Sequence, residues 1–185
     1  MAVTEELIIE NQKVEPPKII DPDKQIEYVD GSPEVKEMAG AKHSGVGTRL
    51  IIEMGIYIKA NNLGRIYGPD ATFAIGNNER IPDISFVSAS RIPPEGEPLK
   101  GWNFAPDLAV EIVSPNDLYV KVHNKIREYF AAGVKEVWLV SPEEKTVTVY
   151  SSPKEDKVLT QEDVLTSEEL LPGFNCPLSE IFIDP

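Results

Sequence analysis

Residues 107–113, DLAVEIV, form a nearly unbroken apolar run interrupted by one carboxylate, Glu111. A strand with one wet face alternates apolar and polar residues, so a run without alternation marks a strand covered on both faces of a sheet. The charge inside it demands an answering cation, because burying an isolated carboxylate is costly. The chain has 185 residues, and at roughly 150 residues per domain this is one domain with one sizeable core. Apolar residues make up 41% and charged residues 26%, with six Phe, six Tyr and two Trp, a composition that excludes wholesale disorder.

Around this strand the sequence predicts a helix, a series of strands, a second helix and a hairpin. Over 42–60, Val46, Leu50, Met54 and Ile58 recur at helical spacing, although Gly45, Gly47 and Gly55 weaken the pattern. Three apolar runs follow at 64–67, 71–75 and 81–87, separated by turn residues and expected to be neighbouring strands. Residues 117–132 carry Leu118, Val122, Ile126 and Tyr129 on one face, with Gly133 as the stop. Residues 136–141 and 146–151 flank Pro142-Glu143-Glu144-Lys145 as a hairpin. The order fits an α/β (α+β) fold in which helices cover a mixed sheet. Residues 1–26, with Pro16, Pro17 and Pro22, read as an extended arm within a proline-bearing first thirty residues; 27–185 form the domain. The end of the chain predicts a short strand, a turn at Pro172-Gly173 and a final helical turn, and both ends are expected to lie at the periphery.

The net charge is −13, which argues against the broad basic surface of a nucleic-acid binder. Residues 1–30 contribute −5 and residues 152–185 contribute −6, leaving −2 for the middle, where Arg49, Arg65, Arg80 and Arg91 are available to line a phosphate path. Cys176 is the single cysteine, which excludes an intrachain disulfide and a multi-cysteine zinc site. The N-terminus lacks a basic region and a long apolar segment, and no apolar stretch is long enough to span a bilayer, so a cytoplasmic location with no membrane attachment is expected.

Asp83 begins a predicted strand as Pro82-Asp83, and Glu111 interrupts another. Two carboxylates on adjacent strands resist joint ionisation unless a cation neutralises them. Asp83, Glu111 and the carbonyl of Ile112 would make an oxygen ligand set suited to Mg2+, with Mn2+ as the alternative ion. On the blander reading of the same residues, Asp83 terminates a strand and Glu111 pairs with a core cation. Lys125 lies about 20° from Leu118 on a helical wheel, at the edge of the apolar stripe. Its ammonium could position a water or steady phosphoryl charge; alternatively it packs its stem and leaves its charge in solvent. His43 is placed near the site without a role, and His123 is expected on the surface. Ser114 has no histidine placed to activate it, and Gly45-Val46-Gly47 lacks the context of a phosphate loop.

The sequence resembles the bacterial Uma-type restriction endonuclease family, a branch of the PD-(D/E)XK nuclease superfamily. The resemblance is carried by YVDG at 28–31, His43 with Val46 and Leu50, RIPDISFV at 80–87, PDLAVEIVSP at 106–115, KIREYFAAGVKEVWLVSPEEKTVTVY at 125–150 and LLPGFNCPLSEIF at 170–182. It implies a restriction-endonuclease-like core, usually in a homodimer, and magnesium-dependent hydrolysis of DNA phosphodiester bonds. Asp83 matches the aspartate of the PD element and Glu111 the acidic position of the (D/E)XK element. Val113 stands where the lysine is usual, and Lys125 occupies the place on the following helix to which the family's lysine is thought to migrate. Two positions depart from the pattern: Ser32 follows YVDG where many relatives are acidic, and Lys121 stands where an aspartate is frequent.

Three functions are compatible with these residues: a metal-dependent endonuclease acting on DNA, a nuclease-fold dimer that binds DNA or protein without hydrolysis, and a glycoside hydrolase. The last leaves both Lys125 and the buried strand unexplained. If the acidic arm folds over the cleft, removing residues 1–26 should strengthen DNA binding at low salt in an electrophoretic shift assay. Unchanged affinity would mean that the arm lies elsewhere.

Overall fold

The computed structural model describes residues 25–36, 40–114 and 117–183. The apolar run becomes the strand Leu108–Ile112, with every residue buried. In chain order the elements are β1 (Ile26–Val29), β2 (Ser32–Val35), α1 (Ala41–Ala60), β3 (Gly64–Tyr67), β4 (Phe73–Ile75), β5 (Asn78–Arg80), β6 (Ile84–Ser88), β7 (Leu108–Ile112), α2 (Tyr119–Ala131), β8 (Glu136–Ser141), β9 (Thr146–Ser152), β10 (Glu155–Thr160), β11 (Val164–Ser167) and β12 (Leu171–Pro177). The main sheet runs β10-β9-β8-β7-β6-β3. β7 pairs antiparallel with β6 and parallel with β8, the parallel step being the one that α2 bridges. The mixed sheet between two helices is the expected fold class.

Side-chain alternation along β7 divides the core in two. Leu108, Val110 and Ile112 pack with Val46, Leu50, Met54 and Ile58 of α1. Ala109 packs on the opposite face with Ile126 and Tyr129 of α2, and Glu111 follows it onto that face. A Cβ on Gly47 would stand 2.8 Å from the end of the Ile112 side chain. The glycine thus lets α1 lie close to β7, with His43 one helical turn earlier. Gly133, at φ +92°, ends α2 as expected, whereas Leu118 sits at the helix entrance and is exposed.

Several sequence expectations need correction. β3 and β6 are neighbours, but 71–75 does not lie between or beside them. Trp102 holds this segment through Trp102 N–H to Thr72 O at 2.8 Å and Ala74 N–H to Trp102 O at 2.9 Å. β4 then turns at Gly76 into β5 and joins β1 and β2 in a separate four-stranded sheet. Residues 1–24 of the expected arm lie outside the described residues. Residues 25 and 26, the end of the expected arm, instead lead into a hairpin whose turn, Asp30-Gly31, has positive φ at both positions.

The C-terminal segment is likewise part of the core. β10 forms an edge of the main sheet, and Leu165, Leu171, Phe174, Cys176, Leu178, Ile181 and Phe182 fill the α1 side. Pro172-Gly173 lies within β12 rather than in a turn, although the final helical turn is present at Leu178–Glu180. No helix among the described residues is long and apolar enough to cross a membrane.

Cys176 is fully buried, and burial, with Glu53 and Glu180 nearby, pushes its thiol up to about 11. A thiol that holds its proton more tightly when folded contributes stability that is fully present below its unfolded pKa and is lost as pH rises from there through its folded pKa of about 11. Alkylation by iodoacetamide at about pH 8 should therefore be far slower in the native protein than in urea. Equal rates would mean that the β12 region opens readily.

Candidate active site

The site forms where β6 begins and β7 ends, between the α2 face of the sheet and the β1–β2 hairpin. Asp83 stands one residue before β6. Its Oδ2 accepts the Ile112 N–H at 2.7 Å, which ties the two predicted ligand segments together. Lys36, just beyond β2, places Nζ 2.8 Å from Asp83 Oδ1 and donates to Ile81 O at 2.7 Å. From α1, His43 Nε2 lies 2.6 Å from Ile112 O and 3.5 Å from Asp83 Oδ2. Burial opposes the Asp83 anion, but His43, Lys36 and the Ile112 N–H together hold its pKa well below the usual carboxylate range. In turn the contact with Asp83 raises that of His43.

Glu111 is answered from α2. Lys125 Nζ lies 3.0 Å from its Oε1 and 3.1 Å from its Oε2, and the Tyr129 hydroxyl donates to Oε1 at 2.5 Å. Burial pushes Glu111 upward, Lys125 pulls it down and the Asp83 charge pushes it up again. Burial works against the Lys125 ammonium, yet Glu111 and Glu27 outweigh it and raise its pKa. The Lys125 side chain is 16% exposed, so the snorkelling alternative is excluded. Asp83, Glu111, Ile112 and Lys125, the four residues singled out in the sequence, come together here.

Glu27 was not anticipated. Its Oε1 accepts Lys125 Nζ and the Ile81 N–H, both at 2.9 Å, and its Oε2 accepts Arg80 Nη1 at 3.0 Å. Burial opposes its ionisation, but Lys125, the Ile81 N–H and Arg80 lower its pKa. Arg80 also reaches Glu128 on α2, with Nη2 to Oε2 at 2.6 Å. The signal that could have located Glu27 and Lys36 is the Asp-Gly turn, which marks a hairpin and so sets both residues on or beside its paired strands.

The cleft beside these groups has a volume of about 910 Å³. Of the four arginines considered for a phosphate path, Arg80 alone lines it, and both of its carboxylate partners are close. Arg49 donates to Ile181 O, Arg65 to Gly64 O and Arg91 to Ala105 O, all away from the cleft. Lys121 lines the cleft wall and is exposed. His123 stacks on Tyr119, at 3.8 Å between centroids.

Among the described residues no three His, Cys, Asp or Glu side chains converge as a metal cage. Two carboxylates and a main-chain carbonyl nevertheless fit Mg2+ chemically: all the donors are hard oxygens, and this ion usually keeps several waters and takes few protein ligands. Glu111, whose pKa both burial and the Asp83 charge raise, is a carboxylate that a nearby cation would favour.

The comparisons with known proteins agree with the fold. A crystal structure of "a putative nuclease belonging to DUF820" from Anabaena variabilis ATCC 29413 has a TM-score of 0.76 and 27% identity, covering 85% of this chain and 89% of that one. No curated protein matches the chain. The model of the Uma2 family, described as "Putative restriction endonuclease", matches residues 12–179. That span is most of the sequence and includes both halves of the site, and the chain belongs to the Uma2 family.

Proposed function

We propose that this protein is a metal-dependent endonuclease that hydrolyses DNA phosphodiester bonds, working as a homodimer in the cytoplasm. The observation that carries the reading is the convergence of Asp83, Glu111 and the Ile112 carbonyl with the nearly buried Lys125 ammonium on one cleft. Asp83, Glu111 and Ile112 O would hold Mg2+, with Mn2+ able to substitute. When bound, the ion supplies Lewis acidity toward a phosphate oxygen and a lowered pKa for water.

The protein's own groups account for the rest. Lys125 is held between Glu27 and Glu111, where its ammonium can orient an attacking water or offset charge on the phosphoryl oxygens. Attack by water forms a new P–O bond as the water gives up a proton to solvent, the bond to the leaving oxygen breaks, and that oxygen takes up a proton from solvent. His43 holds Ile112 O and Asp83 in their relative places. Lys121, exposed on the cleft wall, can meet a backbone phosphate at the position where an aspartate is frequent in the family's pattern.

Asp83→Asn and Glu111→Gln should each lower Mn2+-dependent cleavage of supercoiled DNA by about a hundredfold or more, and Lys125→Met by a similar factor. Cleavage by these variants at the parent rate would refute the assignment. A parent that cuts neither supercoiled, linear nor single-stranded DNA and binds no divalent ion would instead be a nuclease fold used for binding alone.

Arg80 is the hub joining the hairpin to α2. Arg80→Met takes the shared guanidinium from the buried Glu27 and the half-buried Glu128 and should destabilise the protein by roughly 3–5 kcal/mol in urea unfolding. A loss below about 1 kcal/mol, the range of an exposed pair, would remove Arg80 from that role.

A further inference from the structure

Each oxygen of the proposed ligand set already has an internal partner. Asp83 Oδ1 faces Lys36, Asp83 Oδ2 accepts the Ile112 N–H, Ile112 O faces His43, and Glu111 accepts from Lys125 and Tyr129. These partners are not equally removable. The Ile112 N–H is main chain, Tyr129 is fully buried, and Lys125 is shared between two carboxylates on the inner face of α2. Lys36 projects from the end of the hairpin. Its N–H bonds to Gln25 O at 2.9 Å, just past the last pair of β1 and β2, and its ammonium bridges Asp83 and the Ile81 carbonyl.

Charge balance points to the same residue. Glu27, Asp83, Glu111 and Glu128 face Lys36, Arg80 and Lys125, with His43 against Asp83. The cluster is therefore close to neutral as it stands. Adding a divalent cation beside Asp83 sets two positive centres against one carboxylate in a partly buried place, where screening is weak. An ammonium on a flexible stem can retreat to water at small cost, because its donors are readily rehydrated.

We infer that Lys36 is a resident counter-cation of Asp83, which a divalent metal must displace, and that Lys36 thereby sets the metal affinity of the site. The inference rests on the metal reading of Asp83 and Glu111. It assigns to the β1–β2 hairpin a function beyond that of a wall: in the metal-free protein its lysine occupies Asp83 Oδ1 and the Ile81 carbonyl, and metal loading releases that lysine toward the cleft.

The test is calorimetric titration of Mg2+ and of Mn2+ into the full-length parent, Lys36→Met, Lys36→Gln, Lys36→Arg and Lys121→Met at one salt concentration. Lys36→Met and Lys36→Gln remove the charge, the glutamine keeping a donor for the Ile81 carbonyl if the methionine variant folds poorly. Both should bind metal about tenfold more tightly than the parent. Lys36→Arg should bind no more tightly than the parent, and Lys121→Met, which removes a lysine of the same cleft that does not touch Asp83, should stay within about twofold. Thermal melting supplies an independent readout: the uncharged Lys36 variants should melt lower than the parent without metal and gain more on saturation with Mn2+. Metal binding by an uncharged Lys36 variant where the parent shows none would also support the inference. A parent that binds metal with Lys36→Met and Lys36→Gln at equal or weaker affinity overturns it while leaving the metal reading intact. Equal tightening in Lys121→Met overturns it as well, since the effect would then belong to the general field of the cleft. Absence of binding in every protein, the uncharged variants included, overturns the metal reading and the inference together.

Discussion

Glu111 lies in the middle of the main sheet, in a strand with no wet face, and the rest of the site is arranged around the need to compensate that charge. Its backbone is committed to two neighbouring strands, so the carboxylate cannot turn to solvent. Compensation comes from α2, which returns across the sheet face after β7 and delivers Lys125 and Tyr129 one helical turn apart. The crossover that makes β7 and β8 parallel is thus also the device that brings the ammonium to the carboxylate. Without Lys125 the strand would carry an unpaired buried anion, a penalty large against the marginal stability of a domain this size.

Lys125 creates a second requirement. Caught between Glu111 and Glu27, it links the main sheet to the hairpin, and Glu27 passes the link to Arg80 and Glu128. Carboxylates and cations alternate along this path from β7 through α2 and the hairpin back to α2. Such a network fixes geometry more than it adds stability, because each member loses hydration on burial and recovers it only when every partner is in place. The hairpin, a pair of four-residue strands too short to be stable in isolation, is anchored by these ion pairs and by its pairing with β5. The acidity of the whole chain is a poor guide to this region, which carries nearly matched charges.

The parts of the fold legible in the sequence were those with strong periodicity. The stripe Val46, Leu50, Met54, Ile58 identified α1, and the unbroken run at 107–113 identified the central strand. Asp83 and Glu111 stood out because acids are improbable beside such strands, and Lys125 because it sat at the edge of an apolar stripe. The short strands were less visible. β4 and β5 have three residues each, too few for a period to register, and their separation from β3 depends on Trp102, some thirty residues away in sequence. The C-terminal segment looked peripheral because its acids dominate its composition, yet alternation places Leu165, Leu171, Phe174 and Cys176 inward with the charges outside.

Sequence alone determined the elements whose character is local: two helices, a buried strand carrying one charge, a hairpin at Pro142, and the two carboxylates and the lysine that stand out beside apolar segments. Those properties follow from spacing along one segment and from the cost of burying charge. The tertiary structure decided which distant segment answers each charge. Glu27 meets Lys125 across ninety-eight positions and Lys36 meets Ile81 across forty-five, contacts that no local pattern encodes. They exist because a tight turn at Asp30-Gly31 and pairing with β5 fold the N-terminal hairpin over the ends of β6 and β7, where buried carboxylates leave cations no cheaper place to be.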